Sequence, residues 1–253
     1  MKPNFQYRVI QWVKNLVVYG ILAVACFVSL FPIIWGFTTS LKTERAVSAF
    51  PPQWIPDPAT LENYREVAAS IGRYMLNSGF VALATIFLTL IVAAHGAYAA
   101  ARDDFPFKRF LLFLILATMM IPGVAILIPL YMVASKLGLF NTFSVIIIIY
   151  STWMIPMALW LLRSFFETIP QDLEDAAIMD GCSPVGAFYR ISLPLVIPGF
   201  TAVAIVVFIF VWNEFILALS MTSSEEKRLV TVGIYYYITA YGIEWGKLMA
   251  SVS

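Results

Sequence analysis

The sequence predicts an all-α integral membrane protein, and three observations carry that expectation. Hydrophobic residues make up 61% of the 253 and charged ones only 12%, with a mean hydropathy of +0.85, far from the balance of a soluble domain. Five charge-free intervals, 15–41, 74–101, 110–135, 137–162 and 191–213, each exceed the roughly 20 residues that cross a hydrocarbon core about 30 Å thick. None alternates as a strand does, and lipid leaves the backbone no partner outside its own segment, so each interval reads as a helix.

The segment 1–14 carries Lys2, Arg8 and Lys14 ahead of the first interval, and "AVA" at 23–25 resembles a signal-peptidase site. The apolar run continues well past it to Thr38, which suits an uncleaved spanning helix. "RDDFPFKR" divides the second and third intervals, and "SKLGLFNT" divides the third and fourth, with Lys136, Gly138 and Asn141 supplying a tight polar turn. Pro122 and Pro129 fall inside the third interval as kinks. After the fifth, a Tyr-rich stretch, 221–246, leads to "WGKLMASVS", the start of a sixth apolar run that is too short to cross by Ser253. Such a fragment is left at the interface or disordered.

Composition excludes several classes of function. With a formal net charge of +1, nothing in the overall balance recruits nucleic acid or an acidic ligand, and partners are read from local features. Cys26, Cys182 and the single His95 form no disulfide framework or metal-ligand spacing. "GIEWGKL" at 242–248 lacks both the glycine spacing and the hydroxyl residue of a phosphate-binding loop. The acids from Asp172 to Asp180 have no His or Cys at ligand spacing, which argues against a membrane-embedded enzyme. A self-sufficient secondary carrier shows buried charges or inverted repeats, and Glu214 is the one acid within a span.

The segment 163–198 is polar between apolar neighbours. Pro170 suits a first helical position, and Asp172, Glu174 and Asp175 follow at the positive end of the macrodipole. Leu173, Ala176, Ala177 and Asp180 then share one face, with side chains small enough for another backbone to approach. Gly181 stops this helix. Ser183 caps a second one with Pro184 at its first position, Val185, Phe188 and Tyr189 form its apolar stripe, and Pro194 and Pro198 stand at the foot of the next span. On pattern alone this is either an amphipathic pair lying on headgroups or a docking element.

The spacing Asp175-Ala176-Ala177, Gly181, then Ile191-Ser192-Leu193-Pro194 resembles the cytoplasmic EAA loop of membrane subunits of bacterial ABC importers. With "IPQDL" before it, the whole of "EDAAIMDGCSPVGAFYRISLPLVIPG" is similar to the carbohydrate-uptake subfamily. "FPPQWIPDPATLENY" looks like that family's first external loop, "LGLFNT" like its turn between the third and fourth spans, and "FVWNEFILAL" like its fifth span. Two features depart from the pattern. Glu174 precedes Asp175, leaving two acids for the family's one ion pair, and the family carries a complete sixth span with a basic tail.

The resemblance implies a type I ABC importer transmembrane fold with five complete spans plus the start of a truncated sixth. Residues 1–14 become a cytoplasmic N-terminus and 15–253 a permease domain in the bacterial inner membrane. Its function is then that of half a translocation pathway, most naturally for sugars. Another small solute is the alternative cargo. The loop 163–198 is the coupling loop, with Glu174, Asp175, Ala176, Ala177, Asp180 and Gly181 meeting an ATPase. The implied partners are two ATP-binding subunits, a second membrane subunit and an extracytoplasmic solute-binding protein. ATP and Mg are held by the ATPase, and this chain holds no cofactor. The resemblance also sets the topology, with 102–109 and 163–198 cytoplasmic and 41–73 and 221–246 outside, because basic residues tie at eight on each side.

Three features remain open on sequence. If the hydrocarbon begins between Pro194 and Pro198, Glu214 lies about 24 to 30 Å along the helix. There it serves a pore or gate with Asn213, or it is a solvated carboxylate beside Trp212. His95 is an interhelical hydrogen-bonder or a proton relay. The tyrosines of 221–246 meet the binding protein or form an interfacial belt.

Overall fold

The computed structural model describes residues 5–239 and 242–253; Lys2 and Tyr241 lie outside the described residues. The helices run α1 (Phe5–Ser40), α2 (Glu44–Val47), α3 (Glu62–Arg102), α4 (Lys108–Thr118), α5 (Gly123–Lys136), α6 (Phe143–Glu167), α7 (Asp172–Met179), α8 (Pro184–Ala187), α9 (Leu193–Leu195), α10 (Ile197–Asn213), α11 (Ile216–Met221), α12 (Val230–Tyr235) and α13 (Trp245–Val252). A π-helical turn, Phe188–Ser192, joins α8 to α9. Among the described residues the strands are one antiparallel pair, β1 (Ile238–Thr239) with β2 (Gly242–Ile243).

Three helical stretches, Gln11–Ser40, Glu62–Arg102 and Phe143–Glu167, are each long and apolar enough to cross a membrane. The third and fifth expected spans are bent. At 110–135 the helix breaks, and α4 meets α5 at 91°. Pro122 cannot donate to the ladder, and residues 119–121 close only short-range bonds, Met119 N to Leu116 O and Met120 N to Ala117 O at 3.1 Å each. Pro129, the other expected kink, stays inside α5. The run 191–213 divides likewise: Pro184–Leu195 bends by 69° into α10 at Val196. With each bent pair taken as one span, the described residues hold up to five stretches long and apolar enough to cross.

The described residues divide into two compact units, 1–71 with 234–253 and 72–233. In the first, α13 packs against α1, where a Cβ on Gly36 would sit 3.3 Å from the Met249 sulfur. The terminal run is thus a packed helix rather than a loose end. The C-terminal end of α1 is pinned through its carbonyls. Asn63 Nδ2 donates to Ser40 O and Lys42 O at 2.9 Å each, and Thr60 N donates to Leu41 O at 2.9 Å. Elsewhere the most apolar 18-residue window of α1 has none of its residues buried by the chain. A helix apolar all round is suited to lipid or to another membrane subunit.

The second unit holds the larger core. On α6, Ile146, Tyr150, Leu162 and Phe166 are buried, and on α10 Gly199, Val203, Val207 and Val211 recur every fourth residue. Small residues bring the backbones together: Ala93, Ala94, Ala97 and Ala100 line the buried face of α3, and a Cβ on Gly96 would press on Leu159 at 3.0 Å. Gly123 is tighter still, because any Cβ there would run into the Trp153 indole. The turn between α5 and α6 forms as expected, with Gly138 and Asn141 at positive φ of 68° and 59°. Asn141 Oδ1 accepts from Ser223 N and Ser224 N at 3.1 and 3.2 Å, which ties that turn to the segment after α11.

Candidate coupling site

The polar segment folds as two short helices with a corner. α7 begins at Asp172, two residues past the expected Pro170, and its first turn carries Asp172, Glu174 and Asp175. It ends in a Schellman closure: Gly181 N donates to Ile178 O and Cys182 N to Ala177 O, both at 2.9 Å, with Gly181 at φ +91°. The left-handed geometry is what asks for glycine there, since a Cβ would meet nothing within 4 Å. Ser183 Oγ accepts from Gly186 N at 3.1 Å with Pro184 at the first position of α8. The π-helical turn was not legible; Leu193 N reaches back to Phe188 O just before Pro194, which has no N–H to give.

The two acids part company. Glu174 is only 5% exposed and turns inward. Its Oε1 accepts from Arg102 Nε at 2.9 Å, Arg102 Nη2 at 2.7 Å and Ser192 Oγ at 2.7 Å, and its Oε2 accepts from Tyr98 Oη at 2.7 Å. Arg102 Nη2 also donates to Ile169 O at 3.0 Å. Burial pushes the Glu174 carboxyl upward, but the bonds from Arg102, Ser192 and Tyr98 outweigh it and hold the pKa below the ordinary 4.5. Asp175 is exposed and unpaired among the described residues. Of the two acids left open by the sequence, Glu174 has its ion pair inside this chain, and Asp175 is the one free to meet a partner.

An aromatic floor supports the clamp, with Tyr98 and Phe188 centroids 4.6 Å apart and Tyr98 and Phe166 5.6 Å apart. His95 adds a second tie from α3. Its Nδ1 lies 2.7 Å from Ile91 O and must donate there, so Nε2 accepts from Tyr189 Oη at 2.8 Å. That geometry is the interhelical hydrogen-bonder of the sequence reading.

The outer side of the segment is bare. Leu173, Ile178, Met179 and Val185 are 47%, 42%, 87% and 66% exposed, Ala176, Asp180 and Gly181 are exposed, and Ala177 is half-buried. The expected face therefore exists, with Ala177 leaning inward. Apolar side chains flanking small ones thus stand exposed on a helix held from beneath by the Arg102–Glu174 ion pair.

Asn213 and Glu214, singled out as pathway residues, do not act as a pair. Glu214 interrupts α10 and caps α11: its Oε1 accepts from Leu217 N at 2.9 Å, and its Oε2 accepts from Ala218 N at 3.0 Å and Tyr150 Oη at 2.6 Å. Glu214 also lines a cavity of about 170 Å³ with Trp153 and Phe210. Asn213 is exposed and returns its Nδ2 to Ile209 O at 2.7 Å. Trp212 stacks on Phe208, with centroids 5.2 Å apart.

Sequence reasoning missed Tyr98 and Arg102, because nothing local pairs them with an acid more than 70 positions away. Ser192 stood inside the Ile-x-Leu-Pro spacing, a signal whose chemistry only the fold supplies.

A family model described as a binding-protein-dependent transport system inner membrane component matches residues 93–252. The chain is 37% identical over 225 residues, 88% of its length and 79% of the relative's, to a sulfoquinovosyl glycerol transport system permease protein of Agrobacterium fabrum. It is 38% identical over 208 residues, 81% and 75% of the two chains, to a trehalose transport system permease protein of Mycobacterium tuberculosis. A trehalose/maltose transport system permease protein of Thermococcus litoralis is 32% identical over 243 residues, 94% and 86%. The fold matches, with a TM-score of 0.81 at 23% identity and over 100% of this chain and 93% of the other, a bacterial ABC transporter involved in the import of the acidic polysaccharide alginate.

Proposed function

Because the chain belongs to the family of binding-protein-dependent transport system inner membrane components, a non-enzymatic permease working with ATP-binding and substrate-binding components, we propose that it is one of two membrane subunits of a sugar importer. In this reading it crosses the inner membrane five times through α1, α3, the α4–α5 pair, α6 and the bent run into α10, with α13 beginning a sixth crossing. Two ATPase subunits supply ATP and Mg, and this chain binds neither.

The observation that carries the proposal is the two-sided α7. One side is bolted to α3 and the π-helical turn through Glu174, Arg102, Tyr98 and Ser192, and the other offers Ala176, Met179 and the Asp175 carboxylate to a partner. A helix fastened this way passes a displacement of an ATPase cleft to α3 rather than absorbing it. Gly181 turns the chain at the edge of that face, and Asp180 and Ala177 complete it. Sugar as cargo rests on the curated relatives, whose names refer to trehalose, maltose and a sulfoquinovosyl glycerol. The pathway reading keeps Glu214, supported by its Tyr150 bond and its cavity shared with Trp153, and keeps Asn213 as an exposed neighbour.

The test is reconstitution with the second membrane subunit, the ATPase subunits and the solute-binding protein. ATP-driven uptake of a disaccharide that disappears with Ala176→Arg, while hydrolysis by free ATPase persists, supports the assignment. Uptake in proteoliposomes lacking any ATPase refutes it.

A further inference from the structure

We infer that the outer end of α1 and the start of α13 form a binding site for an acidic saccharide, a sugar ring bearing a carboxylate, sulfonate or phosphate. The inference rests on the sugar-importer reading and adds a substrate class to it.

Lys42 is the reason. It is only 2% exposed, yet no carboxylate accepts from it among the described residues. Its Nζ lies 4.2 Å from the centroid of the Trp35 ring, its one side-chain partner among the described residues. Burial lowers its pKa from the ordinary 10.5, as expected of a cation held without an anion. The nearby Lys247 is the contrast, since its Nζ pairs with Glu66 at 2.8 Å and Glu244 at 3.0 Å. Buried cations are ordinarily paired, and Lys42 has no anion among the described residues.

A second observation is independent of the first. Thr39, 6% exposed, has a buried hydroxyl without a hydrogen-bond partner among the described residues. Thr39 and Lys42 line one cavity of about 360 Å³, with Trp35, Trp245, Ser48 and Met249, within the size range of small-molecule sites. Two indoles line the cavity and offer apolar surface to a sugar ring, the hydroxyls of Thr39 and Ser48 offer hydrogen bonds, and Lys42 offers charge. The frame is rigid. Ser40 Oγ is shared with Tyr64 Oη at 2.7 Å, and Asn63 holds the carbonyls on either side of Leu41. Gly246 leaves room for that Asn63 side chain, which a Cβ would meet at 2.7 Å.

An anionic lipid headgroup shares the acid chemistry but not the ring, and the test separates the two. The assembled importer, without solute-binding protein, is placed in nanodiscs of phosphatidylcholine and in nanodiscs enriched in phosphatidylglycerol, and equilibrium binding of radiolabelled glucuronate and glucose is measured. Glucuronate binds in both lipids, glucose about tenfold more weakly, and Lys42→Gln weakens glucuronate about tenfold while leaving glucose unchanged. Thr39→Val, nearly the same shape, weakens both sugars, and gel filtration of the intact assembly checks folding for each variant. Absence of glucuronate binding, binding indifferent to Lys42→Gln and Thr39→Val, or binding abolished by phosphatidylglycerol overturns the site. Lys42-dependent binding in an assembly that takes up no sugar would instead remove the importer reading and leave the site standing.

Discussion

Replacing Arg102 tests the clamp beneath the coupling helix. The Arg102 and Glu174 side chains are 10% and 6% exposed, so Arg102→Met leaves a buried carboxylate with only Tyr98 and Ser192 as donors. It removes two bonds to Glu174 Oε1 and one to Ile169 O. Breaking one side of a buried ion pair costs about 3 to 5 kcal/mol, which is roughly a hundredfold or more in a local opening equilibrium. The cost falls on α7 because Glu174 is its buried anchor. Hydrogen exchange of the amides 174–181 should accelerate by that factor, with little change in α6. The double variant Arg102→Met/Glu174→Leu should recover much of the protection, since an apolar pair leaves no charge stranded. The pH dependence follows from the sign of the shift. A carboxyl held below 4.5 stabilises the folded state fully above that value and ceases to do so as pH falls through its lower folded value. In Arg102→Met burial acts with less opposition, so protection fails at a higher pH than in the parent. Unchanged exchange of 174–181 in Arg102→Met would refute the reasoning, and so would an unshifted acid midpoint.

Three further outcomes are expected. Gly181→Val should insert and assemble but hydrolyse ATP with reduced uptake, because φ +91° costs a branched residue about 1 to 2 kcal/mol while its side chain meets nothing; full uptake at normal expression would count against the corner's role. Glu214→Ala leaves Leu217 N, Ala218 N and the Tyr150 hydroxyl without their acceptor, and thermal unfolding of the solubilised protein should show a loss of about 1 to 3 kcal/mol or more, with Tyr150→Phe milder. With Cys26 and Cys182 removed, an impermeant thiol reagent applied outside should label Ser48→Cys and not Ser183→Cys, both positions being exposed; the reverse pattern would invert the topology.

The long apolar helices and the polar segment were legible because each is written locally. Charge-free length gives a span, Ser183 followed by Pro184 gives a helix start, and Gly181 gives a stop. The bends were less so. Pro122 and Pro129 look alike in sequence, yet only Pro122 breaks its helix, beside a Gly123 that lies against Trp153. That is a packing fact, and a sequence does not display it. The role of Glu174 was hidden for the same reason, since its partners come from α3 and from the π-helical turn. Glu214 read as an intramembrane charge because its acceptance from two backbone N–H groups requires α11 to start immediately after it.

The central claim is that the bare face of α7 engages an ATPase and that the chain moves solute only through that contact. Affinity capture of the chain from membranes, with identification and quantitation of co-purified ATP-binding subunits, tests it most directly. The account predicts recovery of the ATPase from the parent, its loss with Ala176→Arg on the exposed face, and its retention with Ala134→Ser at a buried position outside the coupling segment. Equal recovery from Ala176→Arg and the parent, or no ATPase with either, would contradict it.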